Sequence, residues 1–172
     1  MYCQIETLRR CFPPSIRRTL DELPVTLDGT YEQTLQAIDK EKREYAHRLF
    51  QCLVVSVRPL RVEEFAEVFA IQPDEEPLPT FNADWRPERA EESVLSACST
   101  LVTLIDVGGY KLVQFSHFSV KEYLTSNRIA NSAHFHILPT PSHTLLARAC
   151  LGVLLQHVDG MSPGLIRSTT LG

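Results

Sequence analysis

Between Ala46 and Val57 the apolar positions recur with a helical period. Leu49, Phe50, Leu53, Val54 and Val57 follow Ala46 at spacings of 3, 4, 7, 8 and 11, the apolar stripe of a helix with one face in a core. Arg58-Pro59 ends this helix, because a residue before proline is pushed out of the helical region. Val62, Phe65, Ala66 and Phe69 predict a second helix with Glu63 and Glu64 in its first turn, where the helix dipole favours acids. A third spans roughly Glu88 to Cys98, with Val94, Leu95, Cys98 and Leu101 on one side. The period then shortens. Leu101 to Val107 is an apolar run, Gly108-Gly109 is a two-residue turn, and Tyr110 to Phe115 reads as the returning strand. His117 to Ser126 returns to helix through Val120, Tyr123 and Leu124. Three helices followed by a two-stranded wing and a further helix is a winged-helix order, here over residues 42–126.

The flanks are helical. Residues 1–40 form an arm of short helices: Ile5, Leu8 and Phe12 up to Pro13-Pro14, then Ile16, Leu20 and Leu23 up to Pro24. A third arm helix carries Tyr31, Leu35 and Ile38, with Asp28 as the expected N-cap. Helices this short do not bury a core by themselves and need a partner surface. Downstream, Ser142 is the expected cap of a last helix over 141–158. Leu145, Leu146, Ala149, Cys150, Val153 and Leu154 make it apolar over most of its circumference, which predicts burial. Residues 159–172 show no period and read as a frayed tail. Residues 72–87, with Pro73, Pro77, Pro79, Pro87 and the acids Asp74, Glu75 and Glu76, read as a solvated loop whose end Trp85 anchors.

Composition and charge then narrow the function classes. The 172 residues are 44% hydrophobic and 22% charged, ordinary globular values, with a net charge of -4. That balance argues against broad affinity for nucleic acid or anionic membrane. No apolar run is long enough for a membrane span, and Met1 to Gln4 lack a basic, apolar leader, so the expected setting is cytoplasmic. The five cysteines (Cys3, Cys11, Cys52, Cys98 and Cys150) have no metal-knuckle spacing. Cys52, Cys98 and Cys150 sit in apolar helical runs and read as core thiols. His134, His136 and His143 lack a neighbouring carboxylate or thiolate at ligand spacing and read as surface histidines. Ser116-His117 has no Gly-x-Ser-x-Gly elbow around it, so no hydrolase nucleophile is indicated. No cofactor and no catalytic residue is expected. Arg9, Arg10, Arg17 and Arg18 read as a solvated helical face, and Glu122 as a buried structural acceptor.

Three stretches carry a family resemblance. Leu23-Pro24 followed by Leu27, Asp28, Thr30, Tyr31, Glu32 and Leu35 resembles the segment after the ATPase core of NACHT proteins. Arg58-Pro59-Leu60 with Glu63, Glu64, Phe65 and Ala66 resembles the start of the winged helix in fungal NLR-like NACHT proteins, members of the STAND class that often carry ankyrin repeats. The run from Gln114 to Leu124 is similar to the Phe-x-His-x-Ser-x-x-Glu-Tyr/Phe-Leu signature of those winged helices. What the resemblance implies is a nucleotide switch, in which the winged helix packs on the ATPase domain and the signature histidine, His117 here, contacts the ADP β-phosphate. The implied partners are a NACHT ATPase domain, in cis or in trans, and helical or ankyrin repeats.

The sequence holds no Gly-x-x-x-x-Gly-Lys-Ser/Thr, so the resemblance implies a piece without its ATPase core: a truncated paralogue, a gene-model fragment, or a module serving a separate partner. The same type of winged helix accompanies GPI inositol-deacylases, whose chemistry belongs to a separate hydrolase domain. DNA reading is the alternative function of a winged helix. From Arg61 to Cys98 there are three basic residues against ten acidic ones, and the third helix carries Glu88, Glu91 and Glu92 against Arg89. That charge repels phosphate. The expectation is a mainly α chain with a small β-hairpin, a winged helix flanked by helical segments, acting as a regulatory and protein-interaction module rather than an enzyme.

Overall fold

The computed structural model describes residues 26–72, 78–129 and 131–160, with side chains described up to residue 155. The first two arm helices, the arginine cluster, Cys3, Cys11, the acidic stretch 74–76 and the tail beyond 160 lie outside the described residues. The architecture is a winged helix, mainly α with small antiparallel sheets. The elements run α1 (Leu27–Gln36), a 3-10 turn (Lys40–Lys42), α2 (Arg43–Val55), β1 (Leu60–Arg61), α3 (Val62–Ala66), β2 (Ile71–Gln72) and β3 (Thr80–Phe81). They continue through α4 (Ala90–Cys98), β4 (Val102–Val107), β5 (Tyr110–Phe115), α5 (Phe118–Leu124) and α6 (Pro139–Gly160).

The helical stripe of α2 does what its period dictates. Ala46, Leu49 and Phe50 are fully buried, and Val54 nearly so. The helix stops earlier than its apolar pattern suggests. Ser56 leaves the helical region and its hydroxyl donates to the Cys52 carbonyl at 2.6 Å, so Val57 lies outside the helix, fully exposed. The second predicted helix is α only over Val62–Ala66 and tightens into a 3-10 turn over Glu67–Ala70. Its entry is fixed by Glu64, whose carboxylate takes a bidentate bond from Arg58 and one from the Arg61 backbone N–H. Those donors hold the Glu64 carboxyl down to about 2, although its exposure to solvent leaves little of that as stability.

The wing matches its sequence signal. β4 and β5 pair antiparallel from Val102↔Phe115 to Val107↔Tyr110, and Gly108 and Gly109 turn the chain at φ 59° and 83°, both in the left-handed region that a two-residue hairpin turn requires. A third strand escapes the sequence pattern. β1 adds to the outer side of β5, giving the order β1-β5-β4, and the Arg61 guanidinium lies 3.7 Å from the Tyr110 ring centre. Two residues are too few to show a period of two. The stretch read as a plain loop likewise contains a small ladder, Ile71↔Phe81 and Gln72↔Thr80. Trp85 does not anchor that loop, since it is 47% exposed. Arg86 does, with its guanidinium over the Phe81 ring and an ion pair to Glu67 at 2.9 Å.

The core extends past 42–126 at both ends. Tyr31, Leu35 and Ile38 of α1 belong to the same buried cluster as Phe50, Phe65 and Leu124. The N-cap of α1 is Thr26, whose hydroxyl accepts from the Gly29 N–H at 3.1 Å. Asp28 therefore sits inside the first turn and pairs with Arg128 at 3.0 Å. Beyond α5, a strap through a 3-10 turn (Ala133–Phe135) returns beneath α2, burying Phe135 and Ile137 completely. The Ile137 N–H donates to the Leu124 carbonyl at 2.8 Å, tying the strap to the end of α5.

His47 on α2 meets the edge of Phe135 and has a hydrogen bond with the His136 backbone, while its Nε2 is buried without a partner. Burial, the largest cause, lowers its pKa from 6.5. An unfolded chain therefore binds the proton more readily than the folded one. Stability conferred by the neutral ring is present above the unfolded value and is lost as pH falls through the folded one. More exposed His134 shifts the same way, mainly by burial. Urea midpoints measured at about pH 7 and about pH 5 are expected to show a fall that His47→Gln shallows.

The last helix starts earlier than expected, at Pro139 rather than at a Ser142 cap. Ser142 is buried inside the first turn and donates to the Leu138 carbonyl at 2.9 Å. One face of α6 packs on α2 and β3. Gly152 passes so close to Pro79 that a Cβ would meet the Pro79 carbonyl oxygen. The other face is not buried as its composition predicted. Leu151, Leu154 and Leu155 are each half exposed or more, and Cys150, expected in the core, faces solvent. Cys52 and Cys98 are buried, and burial pushes the Cys52 thiol up to about 12 and Cys98 higher still.

Candidate functional site

β5 delivers the chain to His117. The Ser116 N–H donates to the Leu101 carbonyl at 2.9 Å, which closes the strand, and His117 then takes extended backbone geometry (φ -154°, ψ 146°) as the N-cap of α5. Its ring does the capping. Nδ1 accepts from the Ser119 N–H at 3.3 Å and lies 2.6 Å from the Ser119 hydroxyl. The other face of the ring rests against Phe118, with ring centres 4.4 Å apart. Both side chains are exposed, Phe118 at 70%. Ser116, considered beside His117 as a hydrolase pair, is not the serine that the imidazole meets.

His117 lines an open concavity of about 440 Å³ between the starts of α1 and α5. Asp28 and Arg128 form one wall, joined by Arg128 Nη1, which donates to both Asp28 carboxylate oxygens at 3.0 and 3.1 Å. Phe118 and Glu122 form the other, one helical turn apart. Glu122 is exposed and is not the structural acceptor that its place in the signature suggested. That role belongs to Glu32 on α1. Its carboxylate accepts from the Tyr123 hydroxyl at 2.6 Å, the Ser132 hydroxyl at 2.6 Å and the Gln36 amide at 3.1 Å. Burial first, then this bond to Glu32, raises the Tyr123 phenol above its ordinary value. A second link runs parallel to it: the buried Tyr31 hydroxyl is 2.8 Å from Ser119 Oγ, and the Tyr31 and Tyr123 rings pack at 5.5 Å. Sequence reading missed both links. The signal available to it was the Tyr31-Glu32 pair on the inner face of a helix, but not the residues opposite.

The three candidate metal histidines lie on two pieces of the chain, His134 and His136 in the strap and His143 on α6. His134 is exposed against Phe135, His136 is half-buried in the strap, and His143 is exposed on α6. Among the described residues no three His, Cys, Asp or Glu side chains converge at metal-binding distance. On the third winged-helix helix, α4, Arg89 pairs with Glu92 at 2.9 Å, and Glu91 takes Lys111 of the wing at 2.6 Å. No helix among the described residues is long and apolar enough to cross a membrane.

Comparison with known proteins supports the winged-helix fold. Over 143 residues the chain is 32% identical to azaphilone pigments biosynthesis cluster protein L of Monascus ruber, a match covering 80% of this chain and 30% of that protein. The chain thus spans about 30% of the length of that curated relative. No solved structure matches it. A family model matches residues 31–137, from Tyr31 of the Tyr31–Ser119 link through the end of the strap at Ile137. The chain therefore belongs to the family described as GPI inositol-deacylase, winged helix domain.

Proposed function

We propose that this chain is the non-catalytic regulatory module of a NACHT-type STAND switch, in which His117 meets a phosphate of the nucleotide held by an adjacent ATPase domain. The supporting observation is the placement of His117: exposed, fixed by its own helix cap, and on the rim of a concavity open to solvent, where a second domain can reach it. An imidazole N–H in that position donates to a phosphate oxygen, and the phosphate biases the contact between the domains. The module does not supply the rest of an anion site. Asp28 occupies the guanidinium of Arg128, and the Glu122 carboxylate faces the same space. The phosphate cradle then comes from the partner domain. The exposed leucines of α6 are where we place the onward helical packing. A DNA-reading role finds less support, because Arg89 and Lys111, the cations beside α4, are already paired with its glutamates.

Calorimetry tests the proposal. The chain alone is expected to bind ADP no more tightly than about 1 mM. Combined with a NACHT ATPase domain, it is expected to slow ADP release, and His117→Ala to weaken that effect by about tenfold, the size of one hydrogen bond to a charged group. Micromolar ADP binding by the chain alone, or an unchanged release rate in His117→Ala, defeats the reading.

A further inference from the structure

We infer that Tyr31 and Ser119 are positioning residues that lock His117 in the tautomer carrying its proton on Nε2, so that the ring presents a donor, never an acceptor, to the concavity. One bond at His117 has a fixed direction. The Ser119 backbone N–H can only donate, and it donates to His117 Nδ1. That nitrogen therefore carries a lone pair, and the ring proton sits on Nε2.

Direction then propagates along the chain of groups. With Nδ1 an acceptor, the Ser119 hydroxyl 2.6 Å away spends its one proton on it. Its oxygen is left to accept, and the group in reach is the Tyr31 hydroxyl at 2.8 Å. Tyr31 is only 4% exposed, so its phenol needs that partner. The opposite order, Nδ1–H to Ser119 to Tyr31, would set two hydrogens against each other at the Ser119 amide. Cooperativity along such a chain strengthens each member. Nε2 has no partner among the described residues, and His117 is exposed beside the concavity. The ligand class that fits a fixed, neutral N–H donor there is an oxyanion acceptor. A metal ion, which needs a lone pair at Nε2, would have to displace that proton against the bonds at Nδ1.

This inference deepens the reading of His117 as a phosphate contact, but its test is separate from it. Nitrogen-15 spectra of the histidine-labelled chain, without nucleotide or partner, report the proton's place on each ring directly. His117→Asn identifies the His117 signals among the six histidines. In buffer alkaline enough to make histidine neutral, the Nε2–H form should dominate. Ser119→Ala and Tyr31→Phe should each lower the ratio of the two tautomers, Ser119→Ala by about five- to tenfold, the size of one hydrogen bond. Ser119→Thr, which keeps the hydroxyl, should restore it. A dominant Nδ1–H form in the wild type, or a ratio that moves in neither variant, overturns the inference. Failure of the ADP experiment with an intact tautomer ratio removes the switch reading and leaves the lock standing.

Discussion

Phe135→Ala is expected to lower the unfolding free energy by about 3–5 kcal/mol, the cost of removing a fully buried aromatic side chain. The ring sits outside the winged helix as the sequence delimits it, yet it is completely buried and meets Phe50 at 6.0 Å in an edge-on arrangement. Its loss opens a cavity under α2 and frees the strap. Urea unfolding read by circular dichroism measures the effect. A change below about 1 kcal/mol, the level of a surface substitution, would show that the strap is an accessory to the domain rather than part of its core. Leu138→Ala, three residues further on and 55% exposed, is the matched control and should be nearly silent.

Glu32→Ala is the second large effect, expected at about 2–4 kcal/mol. Hydrogen bonds to a charged group carry about 1.5–3 kcal/mol each, and a donor left buried without a partner is penalised further. The carboxylate joins three separate pieces of chain: its own helix α1, Tyr123 on α5, and Ser132 in the strap, which is fully buried. Glu32→Gln keeps the shape but replaces one acceptor oxygen by an amide that donates. It should recover part of the loss, because only one of the two hydroxyl donors then faces a donor. Equal stability of Glu32→Ala and wild type in the same urea experiment would mean that water replaces the carboxylate without cost.

Much of the domain was legible before its tertiary structure because the signals are local. The stripe from Ala46 to Val54 needs one buried face to become a helix. Gly108-Gly109 between two apolar runs needs both left-handed residues to become a hairpin. His117 was placed correctly at a strand–helix junction because the period changes there from two to that of a helix. The elements that escaped are too short to carry a period. Leu60–Arg61 is a strand only because β5 lies beside it, and Ile71–Gln72 only because Thr80–Phe81 returns to it.

The site divides in the same way. Local sequence placed His117 where a strand gives way to a helix, and the fold makes it the N-cap of that helix with Ser119 as its partner. Which acid becomes the structural acceptor was decided only by the tertiary structure. Glu122 and Glu32 each stand next to a tyrosine in the sequence, but packing α1 against α5 turns Glu32 inward onto Tyr123 and leaves Glu122 in solvent. The same holds for α6, whose apolar composition implied burial on all sides. Its inner face finds α2 and β3, while Cys150 is exposed and Leu151, Leu154 and Leu155 keep half or more of their surface in solvent. Periodicity states which side chains share a face. Only the assembled chain, through partners about a hundred residues apart such as Glu32 and Ser132, determines what each face meets, because a contact at that separation leaves no trace in the local pattern.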